Sequence, residues 1–197
     1  MSDGWPDRLV VRPFTLSDAR QVAGWQYAGP WHIYNFGAAD DDELPSAADG
    51  YMAVADADTN LIVGFFCTGP EARVPGLDED PTRVDLGVGM DPQWVGRGHG
   101  GHFGTVVLTQ LRRDYPATPI RVVIQTWNTR SRQLFRRLGF VERGEHRCLQ
   151  DGRSVAYTVA GLSVDGTEPA DPVAGTALVG PAQLRRSHHG TAMFGNQ

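Results

Sequence analysis

The feature that most constrains this chain is a glycine-rich loop set between a β-prone run and a helical pattern. Val84–Met90 (VDLGVGM) leads past Pro92 to Gly96-Arg97-Gly98-His99-Gly100-Gly101. Phe103, Val106, Val107 and Leu111 then recur at helical spacing. Glycine lets backbone approach a ligand closely and take positive φ. The first amides of a helix lack intrahelical partners, and the helix dipole favours an anion there. Together these parts predict an anion site suited to a diphosphate, with Arg97 able to add a charged contact. A Walker loop would need Gly-Lys-Ser/Thr, and this loop has no lysine. A Rossmann fingerprint would follow the first strand, whereas this loop follows the fourth.

The elements around the loop define the fold class. Residues 8–14 form a short apolar run with Pro13, which suits an edge strand. Thr15–Tyr27 has helical spacing, with Thr15 or Ser17 as cap and Gly29-Pro30 as stop. Tyr51–Ala55 and Leu61–Thr68 predict a hairpin, and 69–82 a loop. A helix is predicted over Gly98–Asp114. Ile120–Trp127 is a buried central strand by its β-branched content. Thr129–Leu138 is a short helix capped by Gly139. Phe140–Leu149 and Ser154–Leu162 form a hairpin around Asp151-Gly152. The order lacks a regular βαβ repeat. It predicts an α+β domain over 1–162, with a mixed, mostly antiparallel sheet flanked by helices. From Ser163 onward Pro, Gly, Ala and Thr dominate, so 163–197 is expected to be a flexible or loosely packed tail.

Composition narrows the classes. Of 197 residues, 41% are hydrophobic and 21% charged, enough apolar material for a core. The net charge of -5 argues against nucleic acid as a partner. The N-terminus has no signal-peptide pattern and no run reaches membrane-span length, so a cytoplasmic protein is expected. Cys67 and Cys148 lie in apolar runs without metal-ligand spacing. Free thiols and no metal are expected, and the His188-His189 pair does not change that. A monomer or homodimer is expected.

Two motifs at a characteristic separation resemble the GNAT superfamily of acetyl-CoA-dependent N-acetyltransferases. The signature Gln/Arg-x-x-Gly-x-Gly/Ala falls on Val95 to Gly100, with glycines matching at Gly98 and Gly100 and valine at the first position. Asn128-Thr-Arg-Ser131 followed by Leu138-Gly139-Phe140 is similar to the family's second block. The serine version, with DLGVGMDPQWVGRG, resembles the ribosomal-protein and α-amine acetyltransferase branch. The resemblance implies the acyl-CoA N-acyltransferase fold and acetyl-CoA as co-substrate. Val88 and Met90 would pair with the pantetheine arm as if it were a strand, and the strands at Val84–Met90 and Ile120–Trp127 would splay to admit it. Val95, Gly96, Arg97, Gly98, His99, Gly100 and Gly101 would hold the pyrophosphate. Asn128 would touch the pantetheine or organise the site.

The implied reaction is direct attack of an amine on the thioester. Its needs are a base, an oxyanion donor and an acid for the thiolate. Met90 offers an amide for the oxyanion. The position where many members carry a tyrosine is Phe135, which leaves Ser131 as the nearest hydroxyl. Asp85 and Glu71 are the best carboxylates for the base, with His32 and His99 as further candidates; Asp85 also suits an ordinary hydrogen-bonded strand residue. Trp31, Tyr34 and Phe36 precede the acidic run Asp40–Glu43. They form either an anchored surface loop or an acceptor wall favouring a cationic or aromatic amine. The expected activity is acetyl transfer to a primary amine of a small molecule or peptide. The alternative is a CoA-binding module with impaired catalysis.

Overall fold

The computed structural model describes residues 4–36, 40–150 and 152–164. Seven strands form one sheet: β1 Leu9–Pro13, β2 Tyr51–Asp56, β3 Ile62–Thr68, β4 Val84–Met90, β5 Ile120–Gln125, β6 Val141–Gln150 and β7 Arg153–Leu162. Their spatial order is β1-β2-β3-β4-β5-β7-β6. Every neighbouring pair is antiparallel except β4 and β5. The mixed, mostly antiparallel sheet expected from the element order is present, and Pro13 does lie on an edge strand. Three helices flank it: α1 Leu16–Ala23, α2 Gly100–Asp114 and α3 Thr129–Arg137. Apart from Ser163 and Val164, the expected tail lies outside the described residues, as do His188 and His189.

The helices come out shorter than their sequence patterns, for local reasons. Helix α1 starts from Thr15, whose hydroxyl accepts from Asp18 N while Asp18 accepts from the Thr15 amide, a reciprocal capping box. It ends at Gly24, well before Gly29-Pro30. Trp25 then turns into the core and stacks on Phe65, with centroids 5.9 Å apart. Helix α2 cannot begin at Gly98, whose φ is +94°. Strand β5 stops at Gln125 because the chain turns into α3, with the Asn128 amide donating to Gln125 O at 2.8 Å.

Two cores sandwich the sheet. A register shift in the β2–β3 pair between Val54 and Ala55 puts Val63 and Phe66 on one face and Ile62, Phe65 and Cys67 on the other. The first face packs under α2 and α3 through Phe103, Val107, Leu111 and Phe135. The second packs under α1 through Phe14, Ala19, Val22 and Trp25. Two glycines let aromatic rings lie directly on the backbone of the β3–β4 pair. A Cβ on Gly64 would stand 2.9 Å from Phe103 Cζ and 2.7 Å from Gly89 O. One on Gly89 would stand 2.5 Å from Phe65 Cε1. Neither ring can retreat from a close-packed core.

Strands β4 and β5 are in parallel register only at Val84↔Ile120 and Asp85↔Arg121. Beyond those pairs they diverge, making a V that opens toward the C-terminal end of β4. The splay implied by the resemblance is therefore present.

The Gly64→Ala variant is expected to lose about 1–3 kcal/mol in urea unfolding, because the added methyl overpacks Phe103. A pH effect follows from Asp18. Burial would raise its pKa, but hydrogen bonds from Arg12 and Thr15 hold it below the ordinary 3.8. Its contribution is thus present above about pH 4 and is lost as the pH falls through the depressed folded value. The Asp18→Asn variant should lack that share of the acid-induced loss of stability, measured as unfolding midpoint against pH.

Candidate active site

The arms of the V enclose a cleft of about 450 Å³. One wall is β4 from Leu86 to Met90, and the other is Val122 to Ile124 of β5. Asp91 N donates to Val63 O at 2.9 Å, so Met90↔Gly64 is a non-hydrogen-bonded pair of the β3–β4 ladder, and Val88↔Phe66 follows by alternation. The N–H and C=O groups of Val88 and Met90 therefore point away from β3 and into the cleft. The phenol of Tyr27 donates to Met90 O at 2.8 Å.

The glycine-rich loop closes the next side. Gly96 and Gly98 have φ of +82° and +94°, a conformation that glycine takes without strain. The two turns they allow bring Gly96, Gly98, Gly100 and Gly101 onto the cleft, together with Val95. No side chain caps the N-terminus of α2. Two residues expected at the anion site stand elsewhere. His99 stacks on Trp5, with centroids 4.3 Å apart and planes 2° from parallel, and it does not line the cleft. Arg97 is exposed and also off the cleft, and its amide donates to Trp94 O at 3.4 Å. The amide of Val95 donates to Pro92 O at 3.3 Å. The cations that do line the cleft are Arg130 and Arg137, and the Arg130 guanidinium lies 3.7 Å from where a Cβ on Gly96 would stand.

The start of α3 forms the far side. Asn128 is buried and caps the helix by accepting from Ser131 N at 3.1 Å. Its amide nitrogen donates to the Tyr34 hydroxyl at 2.9 Å. Ser131 lines the cleft. Phe135 closes the floor as a core residue, edge-on to Phe140 at 5.0 Å, and offers no hydroxyl.

Aromatic rings from the turn after α1 complete the site. Tyr27, Trp31, Tyr34 and Phe36 all line the cleft, as does Phe65 beneath them. Trp31 and Tyr34, read from the sequence as either an anchored surface loop or an acceptor wall, both line the cleft. Burial pushes the Tyr34 phenol up to about 12, against a lowering by its Asn128 hydrogen bond. The indole N–H groups of Trp31 and Trp94 are buried on the cleft wall without a hydrogen-bond partner. Sequence spacing could not reveal Tyr27 or Trp94 as cleft residues; Arg130, sitting inside the Asn128–Ser131 motif, carried a signal that the sequence reading did not use.

The expected bases lie outside the cleft. Asp85 is buried at the closed end of the V, with Oδ1 accepting from Arg121 Nε at 2.6 Å and Oδ2 from Nη2 at 3.1 Å. Arg73 approaches the same carboxylate at 3.7 Å. A carboxylate committed on both oxygens, away from the reacting end, acts as a structural ion pair. Glu71 accepts from the Tyr51 hydroxyl at 3.2 Å. Burial raises its pKa and the Tyr51 bond opposes that, but it does not line the cleft. His32 is exposed and its Nδ1 meets Gly29 O at 2.8 Å. Among the described residues no carboxylate lines the cleft, no cluster of His, Cys, Asp or Glu could hold a metal, and no helix is long and apolar enough to cross a membrane.

The comparisons with known proteins agree with this geometry. A family model described as an acetyltransferase (GNAT) domain matches residues 8–141. No curated protein matches. A GNAT-family acetyltransferase from Bacillus anthracis superposes with a TM-score of 0.64 at 14% identity, over 81% of this chain and 97% of that one. A ribosomal-protein-S5-alanine acetyltransferase from Vibrio fischeri gives 0.57 at 17%, over 83% and 97%. A Salmonella typhimurium protein described as an acetyltransferase, solved with its cofactor acetyl-CoA, gives 0.53 at 17%, over 83% and 98%. At these identities the likeness is one of fold.

Removing the Asp85 charge should damage the scaffold before the chemistry. The Asp85→Asn variant strands a buried guanidinium and is expected to lose roughly 3–5 kcal/mol in urea unfolding. Full stability with abolished activity would return Asp85 to a chemical role.

Proposed function

The chain belongs to the acetyltransferase (GNAT) family, and on that premise we propose that it transfers an acetyl group from acetyl-CoA to a primary amine of a small molecule or peptide. The observation that carries this reading is the backbone edge of β4. At Val88 and Met90 that edge faces a cleft which ends at an uncapped helix N-terminus.

The residues present fit the co-substrate. An extended amide chain such as pantetheine hydrogen-bonds to a strand edge as a further strand would. The diphosphate fits the loop of Gly96, Gly98, Gly100 and Gly101, where the helix dipole favours an anion. Arg130 stands beside that cradle to pair with it. Asn128 lies between the two, held by Ser131 N and the Tyr34 hydroxyl.

The thioester supplies an activated acetyl group: the amine nitrogen bonds to its carbonyl carbon as the carbon–sulfur bond breaks, the amine losing a proton and the sulfur gaining one. The Met90 N–H is directed to donate to the carbonyl oxygen as charge grows on it. Tyr27 fixes the Met90 peptide through its hydrogen bond. Ser131, which lines the cleft, would be the hydroxyl to protonate the departing sulfur, and a thiol of pKa about 8.5 needs little assistance. Tyr34 stays protonated through neutral pH and orients Asn128. The proton from the amine passes to solvent at the open mouth, since neither Asp85 nor Glu71 reaches the cleft. The transferase unit is assigned to residues 1–162.

Phe135 in the floor and Val95 in a closed turn support a second reading, a CoA-binding module without catalysis. Calorimetric titration with CoA and release of CoA thiol in the presence of amines separate the two. Transfer is expected with at least one primary amine, and tight CoA binding with none would favour the second reading. A Cβ on Gly98 meets nothing within 4 Å, so Gly98→Ala tests the loop conformation alone. Strain at that φ of about 1–2 kcal/mol should weaken CoA binding about tenfold while the fold persists.

A further inference from the structure

The aromatic end of the cleft selects the acceptor. Resting on the acetyltransferase reading, we infer that the acceptor is an apolar primary monoamine, an aryl-alkyl amine being the best fit, and not a polycation. Tyr27, Trp31 and Tyr34 line the cleft. Tyr27 and Tyr34 meet edge-on at 6.4 Å, and Trp127, itself off the cleft, packs on Tyr34 at 6.3 Å and on Trp31 at 6.1 Å. These spacings are those of packed aromatic pairs. Phe36 and Phe65 add apolar surface opposite.

Polar groups concentrate where the amine would react. The Tyr27 hydroxyl is on Met90 O and the Tyr34 hydroxyl is on Asn128 Nδ2. The rings of Tyr27, Trp31, Tyr34 and Phe36 supply apolar lining beside them. A slot with polar groups beside aromatic lining matches a single amine head with a ring or apolar tail.

Charge excludes the other class. Arg130 and Arg137 are the charged residues on the cleft among those described, and both are cationic. A polyamine would bring further ammonium groups to a cleft in which, among the described residues, no carboxylate lines the wall to receive them. Within the acidic run that suggested a cationic acceptor, Asp41 pairs with Arg20 of α1, and Asp40, Asp41 and Glu43 do not line the cleft. The Trp31 face, which could otherwise hold a cation, already carries the Arg130 guanidinium at 4.4 Å.

The test uses the full chain with acetyl-CoA and follows thiol release with 2-phenylethylamine, tryptamine, n-butylamine and spermidine, with CoA affinity measured separately. The aryl-alkyl amines are expected to exceed spermidine in kcat/KM by at least about tenfold. Trp31→Ala should raise KM for the aryl-alkyl amines about tenfold, and Trp31→Phe should restore most of it. Spermidine turned over as well as or better than the aryl-alkyl amines overturns the inference and leaves acetyl transfer standing. So does an unchanged KM in a folded, CoA-binding Trp31→Ala variant. CoA binding with no turnover of any amine in the panel overturns the inference and favours the CoA-binding module.

Discussion

The site depends on one buried ion pair at the point where two parallel strands part. Asp85 and Arg121 are register partners on β4 and β5, joined by two hydrogen bonds at the last paired position. Arg121 also donates to Asp78 O at 2.9 Å, which ties the preceding loop to the same point. A pair this buried contributes little net stability against an apolar replacement, but breaking it on one side is costly. Its value lies in geometry. It holds the strands together at one end, so that divergence produces a cleft instead of a separated sheet. The strand edge that β5 would have satisfied is left facing that cleft.

Divergence would be useless without rigid arms. The β3–β4 arm is clamped between two rings, Phe103 on one face at Gly64 and Phe65 on the other at Gly89. The β5 arm is backed by its full antiparallel pairing with β7. Helix α3 is fastened by Arg132, which binds Glu142 through two hydrogen bonds of 2.9 Å and donates to Thr126 O at 2.8 Å. Hydrogen bonds from Arg132 and Arg136 outweigh desolvation and hold Glu142 down to about 2. The cleft walls are thus set by packing and ion pairs outside the cleft, and its lining residues are left to contact ligands.

Much of this was legible along the chain because its causes are local. Gly96 and Gly98 turn the backbone where the sequence interrupts a strand before a helix. The apolar spacing of α2 predicted its buried face, and Thr15, one of the two caps read from the sequence, does start α1. The roles of Asp85 and Glu71 were not legible. Each is a carboxylate on or next to a strand, and only the partner across the sheet decides its function: Arg121 lies 36 residues away and Tyr51 lies 20 residues away. His99 and Arg97 had the right types in the right loop. The His99 ring is directed by a tertiary neighbour, Trp5, and the Arg97 side chain is exposed off the cleft.

The sequence by itself determined the element types, the glycine-rich loop and the family, because steric freedom, periodicity and motif spacing act within short segments. Tertiary structure alone decided that β7 lies between β5 and β6, that β4 and β5 part after two residue pairs, and that Tyr27 reaches Met90 and Tyr34 reaches Asn128 across 63 and 94 residues. Those contacts depend on the closure of long loops and on which face of a shared core each ring can enter. No local pattern along a chain encodes either.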